Sequence, residues 1–497
     1  MKTLSSLFVC VIAAVVVWAL FFPANMDPDS IWQYQQASSG RFVDWHPPAM
    51  AVILSAIIAC GSDIGLLMLF QSIAGIVGLR EFSYLIICEI DRNDTMNAAA
   101  RSWVATIVTV LFLIPINPFV FYIMTFAKDA WLMIILLWIG ALSFRIHGSG
   151  VVCRSPVRIA EYGFLVALMG LAPHIRHNAL VLLAPLCFVC LLTVRRFGSR
   201  NSWLPALLPI VAFVLWYPLF YWTVSVQQTH PSTQIKALDL IGICVLDPAA
   251  RADLPYTDAC LADDYRARYR FGDYAPIYLE SPSIVKSEYI SGRFGPKKNN
   301  EYLVDYGIAA GPKENNEYLD RDYRIAIRNH ALTLIRVKVL SFWPLLGVKS
   351  YRNDDFTINT WVKSGIVPNS LGLKLNTLLE WPRRKVSNIA WRTAHSPLRW
   401  ISGVHAVWLV VNLSAICVTL LRHRHSPTPT QHWLFRAVWL TVPLSYYLSY
   451  LPATSSPEYR FMCTSTIIIQ LYILSQLLYF IFGNTNNLSY TDGCDGH

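Results

Sequence analysis

The chain has 497 residues, of which 54% are hydrophobic and 14% charged, with a formal net charge of +10. A soluble domain averages about a quarter charged residues, and here the deficit is gathered into long uncharged runs, which excludes a single water-soluble core. The positive charge contains no Lys/Arg block of the kind that forms a nucleic-acid patch, so nucleic acid is not an expected partner.

The first run is Leu7 to Phe22. It ends in Trp18-Ala-Leu-Phe-Phe-Pro23 rather than in the small residues of a cleavage site, and reads as a retained span. A first outer loop, 23–50, follows. Ala51 to Cys60 is apolar but short, and suits an interfacial helix. Spans are then expected near 63–88, 99–114, 130–144, 159–172, 179–194 and 204–224. After the long stretch 226–398 come three more, near 399–421, 434–452 and 463–482. Each crossing needs roughly 20 apolar residues, and several of these are short. The loops Arg145 to Arg158, Arg195 to Arg200 and Arg422 to His432 carry arginine and no acid. With this count all three lie on the cytoplasmic side, as the positive-inside rule asks.

The stretch 226–398 is different material, with 18 of the chain's 31 acidic residues. It is long enough to fold over the membrane surface as a small domain. It holds a local repeat: Gly295-Pro-Lys-Lys-Asn-Asn-Glu-Tyr-Leu303 recurs as Gly311-Pro-Lys-Glu-Asn-Asn-Glu-Tyr-Leu319. Ala331 to Leu346 is apolar but includes Arg336 and Lys338, which favours an interfacial helix over a span. Most of the 11 cysteines lie inside apolar runs, Cys187 and Cys190 among them, where Cys acts as a small hydrophobe. Cys244 and Cys260 fall in the polar stretch and could form a disulfide outside the cell.

The expected fold is therefore an all-α polytopic membrane protein with about ten transmembrane helices and a large outer-face loop domain. Its parts are an N-terminal transmembrane region 1–225, the loop domain 226–398, and a C-terminal transmembrane region with cytoplasmic tail, 399–497.

On this layout the polar residues beside the spans gather on the outer face. They are Asp27 and Asp29; Asp44-Trp45-His46-Pro47-Pro48; Lys128-Asp129; His174, Arg176, His177 and Asn178; and Glu458-Tyr459-Arg460. Each has a plainer use taken singly. Asp27 to Ser30 could cap a helix starting near Ile31, Pro47-Pro48 could open one, Lys128-Asp129 could be a weak surface pair, and Arg176 and Arg460 could snorkel to headgroups. Together they suit transfer of a sugar from a lipid phosphate. That chemistry needs a carboxylate near the acceptor hydroxyl and cations on the leaving phosphate.

Asp29-Ser30, Gln33, Gly40 and Asp44-Trp45-His46-Pro47-Pro48 resemble the first outer loop of the C-type (GT-C) membrane glycosyltransferases. The resemblance is to bacterial relatives of the protein O-mannosyltransferases and of the lipid A aminoarabinose transferase. Lys128-Asp129, Arg176-His177-Asn178 and the stretch from Arg328 to Trp343 are also similar to motifs of that group. The likeness covers the N-terminal 200 residues best.

It implies inverting transfer from a polyprenyl-phosphate sugar to an envelope glycan, glycolipid or protein, at the outer face of the plasma membrane. It also implies a first-loop aspartate as base: Asp29, or Asp27, which Pro28 separates from it. His46 would orient the loop or the acceptor. Asp44, Lys128, Asp129, Arg176, His177, Asn178 and Arg460 would serve substrate binding. No cofactor is expected, although one or two carboxylates and a histidine could recruit a divalent ion. Two rivals share the span pattern. A transporter or flippase would show repeated halves and midplane polar groups. An envelope polysaccharide polymerase or ligase would also pair many spans with a large outer loop.

Overall fold

The computed structural model describes residues 2–22, 25–26, 28–44, 46–61, 64–91, 95–149, 156–195, 203–227, 232–261, 263, 265–268, 271, 313–347, 379–394, 396–402, 404–425, 430–453 and 460–488. The chain is mostly helical. In order the main helices are α1 (Lys2–Phe21), α2 (Pro28–Ser39), α3 (Ala49–Ala59), α4 (Ile64–Ile90), α5 (Ala98–Leu113), α6 (Phe119–Met124), α7 (Lys128–Ser149), α8 (Pro156–Ile175), α9 (Leu183–Arg195) and α10 (Leu208–Tyr221). Then come α11 (Ser232–Leu246), α12 (Pro255–Cys260), α13 (Tyr265–Arg268), α14 (Lys313–Asn329), α15 (Ala331–Leu345), α16 (Glu380–Ala394), α17 (Arg399–Ser402), α18 (His405–His425), α19 (Thr430–Ala453) and α20 (Arg460–Leu488).

Among the described residues five helical stretches are long and apolar enough to cross a membrane: Leu4–Phe21, Lys128–Gly148, Leu204–Tyr221, His405–Arg422 and Met462–Phe482. Their outer faces leave large apolar side chains exposed, such as Leu4, Phe8, Leu215 and Val410. Such a surface calls for an apolar surround. α3, at 11 residues, is about 16 Å long, too short to cross.

Helix α7 sits at the centre, with most of its length buried. It packs closely on α4 because small residues let the backbones approach. Gly78 faces the Trp138 indole, and Gly140 faces the Phe82 ring. The room at Gly78 lets Trp138 Nε1 donate to the Ala74 carbonyl at 3.0 Å. Gly170 of α8 meets the backbone of Ala212 and Phe213 on α10 in the same way.

A second hydrophobic core lies within the polar stretch, built on Leu240, Ile241, Ile243 and Cys244 of α11 with Leu254, Tyr265, Leu319, Ala326 and Val337. α15 joins the two cores. Val337 enters the second, while Phe342 and Leu345 enter the main one. The opposite face of α15 exposes Leu332, Ile335, Val339 and Trp343, spaced as one helical stripe. That is the side chain arrangement an interfacial helix needs. Lys338 is turned away from this stripe and pairs with Asp239 at 2.6 Å.

Two expectations change. Cys244 is a free, buried thiol rather than half of a disulfide with Cys260. It points into the second core, and burial pushes its pKa up to about 12. The apolar packing of that core, not a cross-link, holds α11. The arginine-bearing loops are also shorter than the charge pattern suggests, because α7 runs on to Ser149 and α19 starts at Thr430. His147 and His432 are therefore buried helical residues, not loop residues. Of the repeat, Gly295 to Leu303 lies outside the described residues, and Lys313 to Leu319 of the second copy opens α14.

Candidate functional site

Two short parallel strand pairs assemble the first loop. Asn25–Met26 registers against Thr125–Phe126, and Phe42–Val43 against Val226–Gln227. The first pair leads straight into the site. Three residues after Met26 stands Asp29, in the first turn of α2. Two residues after Phe126 stands Lys128, the first residue of α7. The parallel register thus delivers an acid and a cation side by side from positions 99 residues apart. The pairing is braced on both sides. Ser30 donates to the Phe126 carbonyl, and Gln71 Nε2 donates to the carbonyls of Ile123 and Thr125 at 2.8 and 3.0 Å.

The rest of the loop brings in His46. Gly40, at φ 69°, ends α2 in the left-handed conformation that favours glycine. Gln36 Oε1 then accepts from the Val43 amide at 3.0 Å. Pro47 and Pro48 lead into α3, whose N-cap is Pro48, consistent with proline's preset φ at a helix start. His46 lands against Trp32, ring centroids 5.7 Å apart.

The three side chains converge. Lys128 Nζ donates to Asp29 Oδ2 at 3.1 Å and lies 2.7 Å from His46 Nδ1. His46 Nε2 lies 3.4 Å from Asp29 Oδ1. Lys128 Nζ also lies 3.1 Å from His46 Nε2, so the ammonium is within reach of both ring nitrogens. The imidazole is held neutral. Burial and the adjacent ammonium lower its pKa to about 4, against the pull of Asp29. The Asp29 side chain keeps 19% of its surface open, which leaves room for a substrate to reach it.

A deeper pair lies behind. Asp129, the neighbour of Lys128, faces Arg176 and hydrogen-bonds it. Both are buried, at 1% and 6%. The guanidinium sits over the Tyr450 ring, 5.7 Å from its centroid. Tyr450 hydrogen-bonds Tyr446 at 2.8 Å and the Asn178 side chain. Thr464 donates to the Asp129 carbonyl at 3.4 Å. His177 donates to the Asp44 carbonyl at 3.3 Å, tying the turn after α8 to the first loop.

The predicted residues Asp29, His46, Lys128, Asp129, Arg176, Asn178, His177 and Asp44 are thus gathered in one neighbourhood. Lys128 and Asp129 do not pair with each other. As consecutive residues on a helix they point about 100° apart, one toward the loop and one into the bundle. Arg176 is engaged by Asp129, so it anchors the floor of the site. Asp27 and the side chain of Arg460 lie outside the described residues. Tyr446, Tyr450 and Thr464 were not foreseen, since buried tyrosines in an apolar run carry no signal of their own.

One further group of polar donors was missed. Glu89, His147 and His432 place their ligand atoms within 4.8 Å of one another, at the far end of α7. At the first loop, by contrast, the Lys128 ammonium stands between Asp29 and His46, where a divalent ion would have to sit. No family model, curated protein or solved structure matches this chain.

Proposed function

We propose that the chain is an integral membrane glycosyltransferase that moves a sugar from a polyprenyl-phosphate donor to an envelope acceptor. The reading includes about ten spans in the plasma membrane, with Asp29, His46 and Lys128 on the extracytoplasmic face. The observation that carries it is the partly open Asp29 carboxylate beside Lys128, at the head of a buried helix. In this reading an acceptor hydroxyl attacks the anomeric carbon, its proton passes to Asp29, and the carbon–oxygen bond to the phosphate breaks on the opposite face. The lipid phosphate leaves with its charge held by Lys128, which moves from the carboxylate to the phosphate when donor binds. That exchange frees Asp29 to act as base. Neutral His46 keeps both groups in place without adding charge. The Asp129–Arg176 pair fixes the start of α7 and therefore the lysine.

The test is sugar transfer by the purified protein in lipid, across a panel of polyprenyl-phosphate sugars. Asp29→Asn keeps the shape of the side chain and removes the proton acceptor. It should insert normally, still bind donor, and lose about two or more orders of magnitude in turnover. Lys128→Ala should weaken donor binding. Full activity in Asp29→Asn would end this mechanism and favour a transporter. Reporter fusions at Gly148, Ser199 and Pro427 should read cytoplasm, and one at Asn299 the outside.

A further inference from the structure

At the end of α7 remote from Lys128, three helices bring together a set of donors that sugar transfer does not use. Glu89 comes from the last turn of α4, His147 from the last turn of α7, and His432 from the first turn of α19. Lys128 and His147 are 19 positions apart on one helix, which is about 28 Å, so this group is separate from the first loop. All three side chains are buried, His147 completely. His147 Nε2 lies 3.0 Å from His432 Nδ1, and His432 Nδ1 lies 3.4 Å from Glu89 Oε1.

The nitrogen–nitrogen distance of 3.0 Å is that of a hydrogen bond, and it has to open by only about 0.3–0.4 Å to fit two ligands of one ion. Two nitrogen ligands at about 2.0–2.1 Å from a tetrahedral zinc stand about 3.3–3.4 Å apart. The surroundings add what a metal site needs. The His147 ring stacks on Phe435, centroids 4.0 Å apart and nearly parallel, which fixes its plane. Arg436 lies 3.5 Å from Glu89 Oε1 and also donates to the Glu89 backbone carbonyl. It holds the carboxylate in position. A cavity of about 320 Å³, lined in part by Ile90, Trp433 and Arg436, lies beside the ligand-bearing turns.

We propose that Glu89, His147 and His432 bind one divalent transition-metal ion, zinc being the best match to two imidazoles and a carboxylate. A water or an incoming ligand takes the fourth position. The ion clasps the ends of α4, α7 and α19; α7 and α19 also carry Asp129 and Tyr450 of the candidate transfer site. The proposal does not depend on the sugar-transfer reading.

The experiment uses tag-free, full-length protein in detergent, stripped with a chelator and then titrated with Zn²⁺. One equivalent should bind tightly, and the midpoint of thermal unfolding should rise with it. Glu89→Gln, His147→Gln and His432→Gln should each weaken binding at least about a hundredfold and abolish the thermal shift. If the wild type takes up no more zinc than the triple variant, the proposal fails. Should the variants not fold, X-ray absorption of the zinc-loaded wild type decides. Scattering from two imidazoles with nitrogen and oxygen ligands supports the site. Sulfur ligands, or no imidazole, overturn it.

Discussion

At its first residue α7 offers Lys128 to a carboxylate from another element. In its last turn it offers His147 to a second histidine and a glutamate. The first end is a mixed set of opposite charges with one partly open face, where Lys128 and Asp29 satisfy each other until something displaces them. The far end is a set of electron-pair donors with Arg436 on its rim, and all three donors are buried. Charged groups inside an apolar bundle are costly and persist only where they pair or serve a site. The same helix meets this requirement in two ways: by ion pairing of Lys128 with Asp29 at one end, and by converging His147, His432 and Glu89 at the other.

The largest change to the comparison should come from the buried pair at the first end. Arg176→Ala leaves Asp129 buried without its guanidinium, which costs about 3–5 kcal/mol by the usual scale for a broken buried pair. Chemical or thermal unfolding in detergent measures it. Arg176→Met combined with Asp129→Leu should recover most of the stability but not sugar transfer. If Arg176→Ala is as stable as wild type, the pair does not hold the floor of the site.

A smaller effect is expected where packing alone is altered. A Cβ at Gly170 would come within 2.6 Å of the Ala212 backbone, which cannot swing aside as a side chain would. Gly170→Ala should destabilise α8 against α10 by about 1–3 kcal/mol. Gly163→Ala, on the same helix with open space around it, should be neutral to stabilising by up to about 1 kcal/mol. Equal stability of the two variants would show that the α8–α10 contact is looser than described.

The most specific effect concerns pH. His46 has a folded pKa of about 4 against an ordinary 6.5. Between those values the unfolded chain binds a proton that the folded chain does not, so stability rises with pH across the window. The contribution is fully present above about pH 6.5 and is lost as pH falls toward 4. His46→Gln should flatten the dependence of unfolding temperature on pH between 4 and 7. A wild-type profile already flat in that range would show that the imidazole is not held neutral.

Much of the first end was legible in the sequence. Asp29, His46, Lys128 and Arg176 stand beside long apolar runs, where a polar residue is conspicuous. A topology that places the arginine loops on one side puts these residues on the other. Their mutual contacts were not legible, because nothing local says that strand 25–26 registers on 125–126, or that Lys128 and Asp129 serve different partners. The far end was hidden for a different reason. His147 and His432 fall within the arginine-bearing stretches Arg145 to Arg158 and Arg422 to His432, so they read as parts of solvated loops, and only the extension of α7 and α19 by a few residues buries them.

By itself the sequence determined the material of the protein. The low charge, the uncharged runs and the acidic stretch between them follow from composition, because burial of apolar surface depends on residue type and spacing, both of which are written locally. The tertiary structure alone decided which side chains meet. It set Asp29 against Lys128, left Cys244 free in a second core, and drew Glu89, His147 and His432 together across 343 positions of chain, counted from Glu89 to His432. Contacts between residues so far apart are fixed by how helices pack, and packing depends on close approaches such as Gly78 on Trp138 and Gly140 on Phe82, which no single segment encodes.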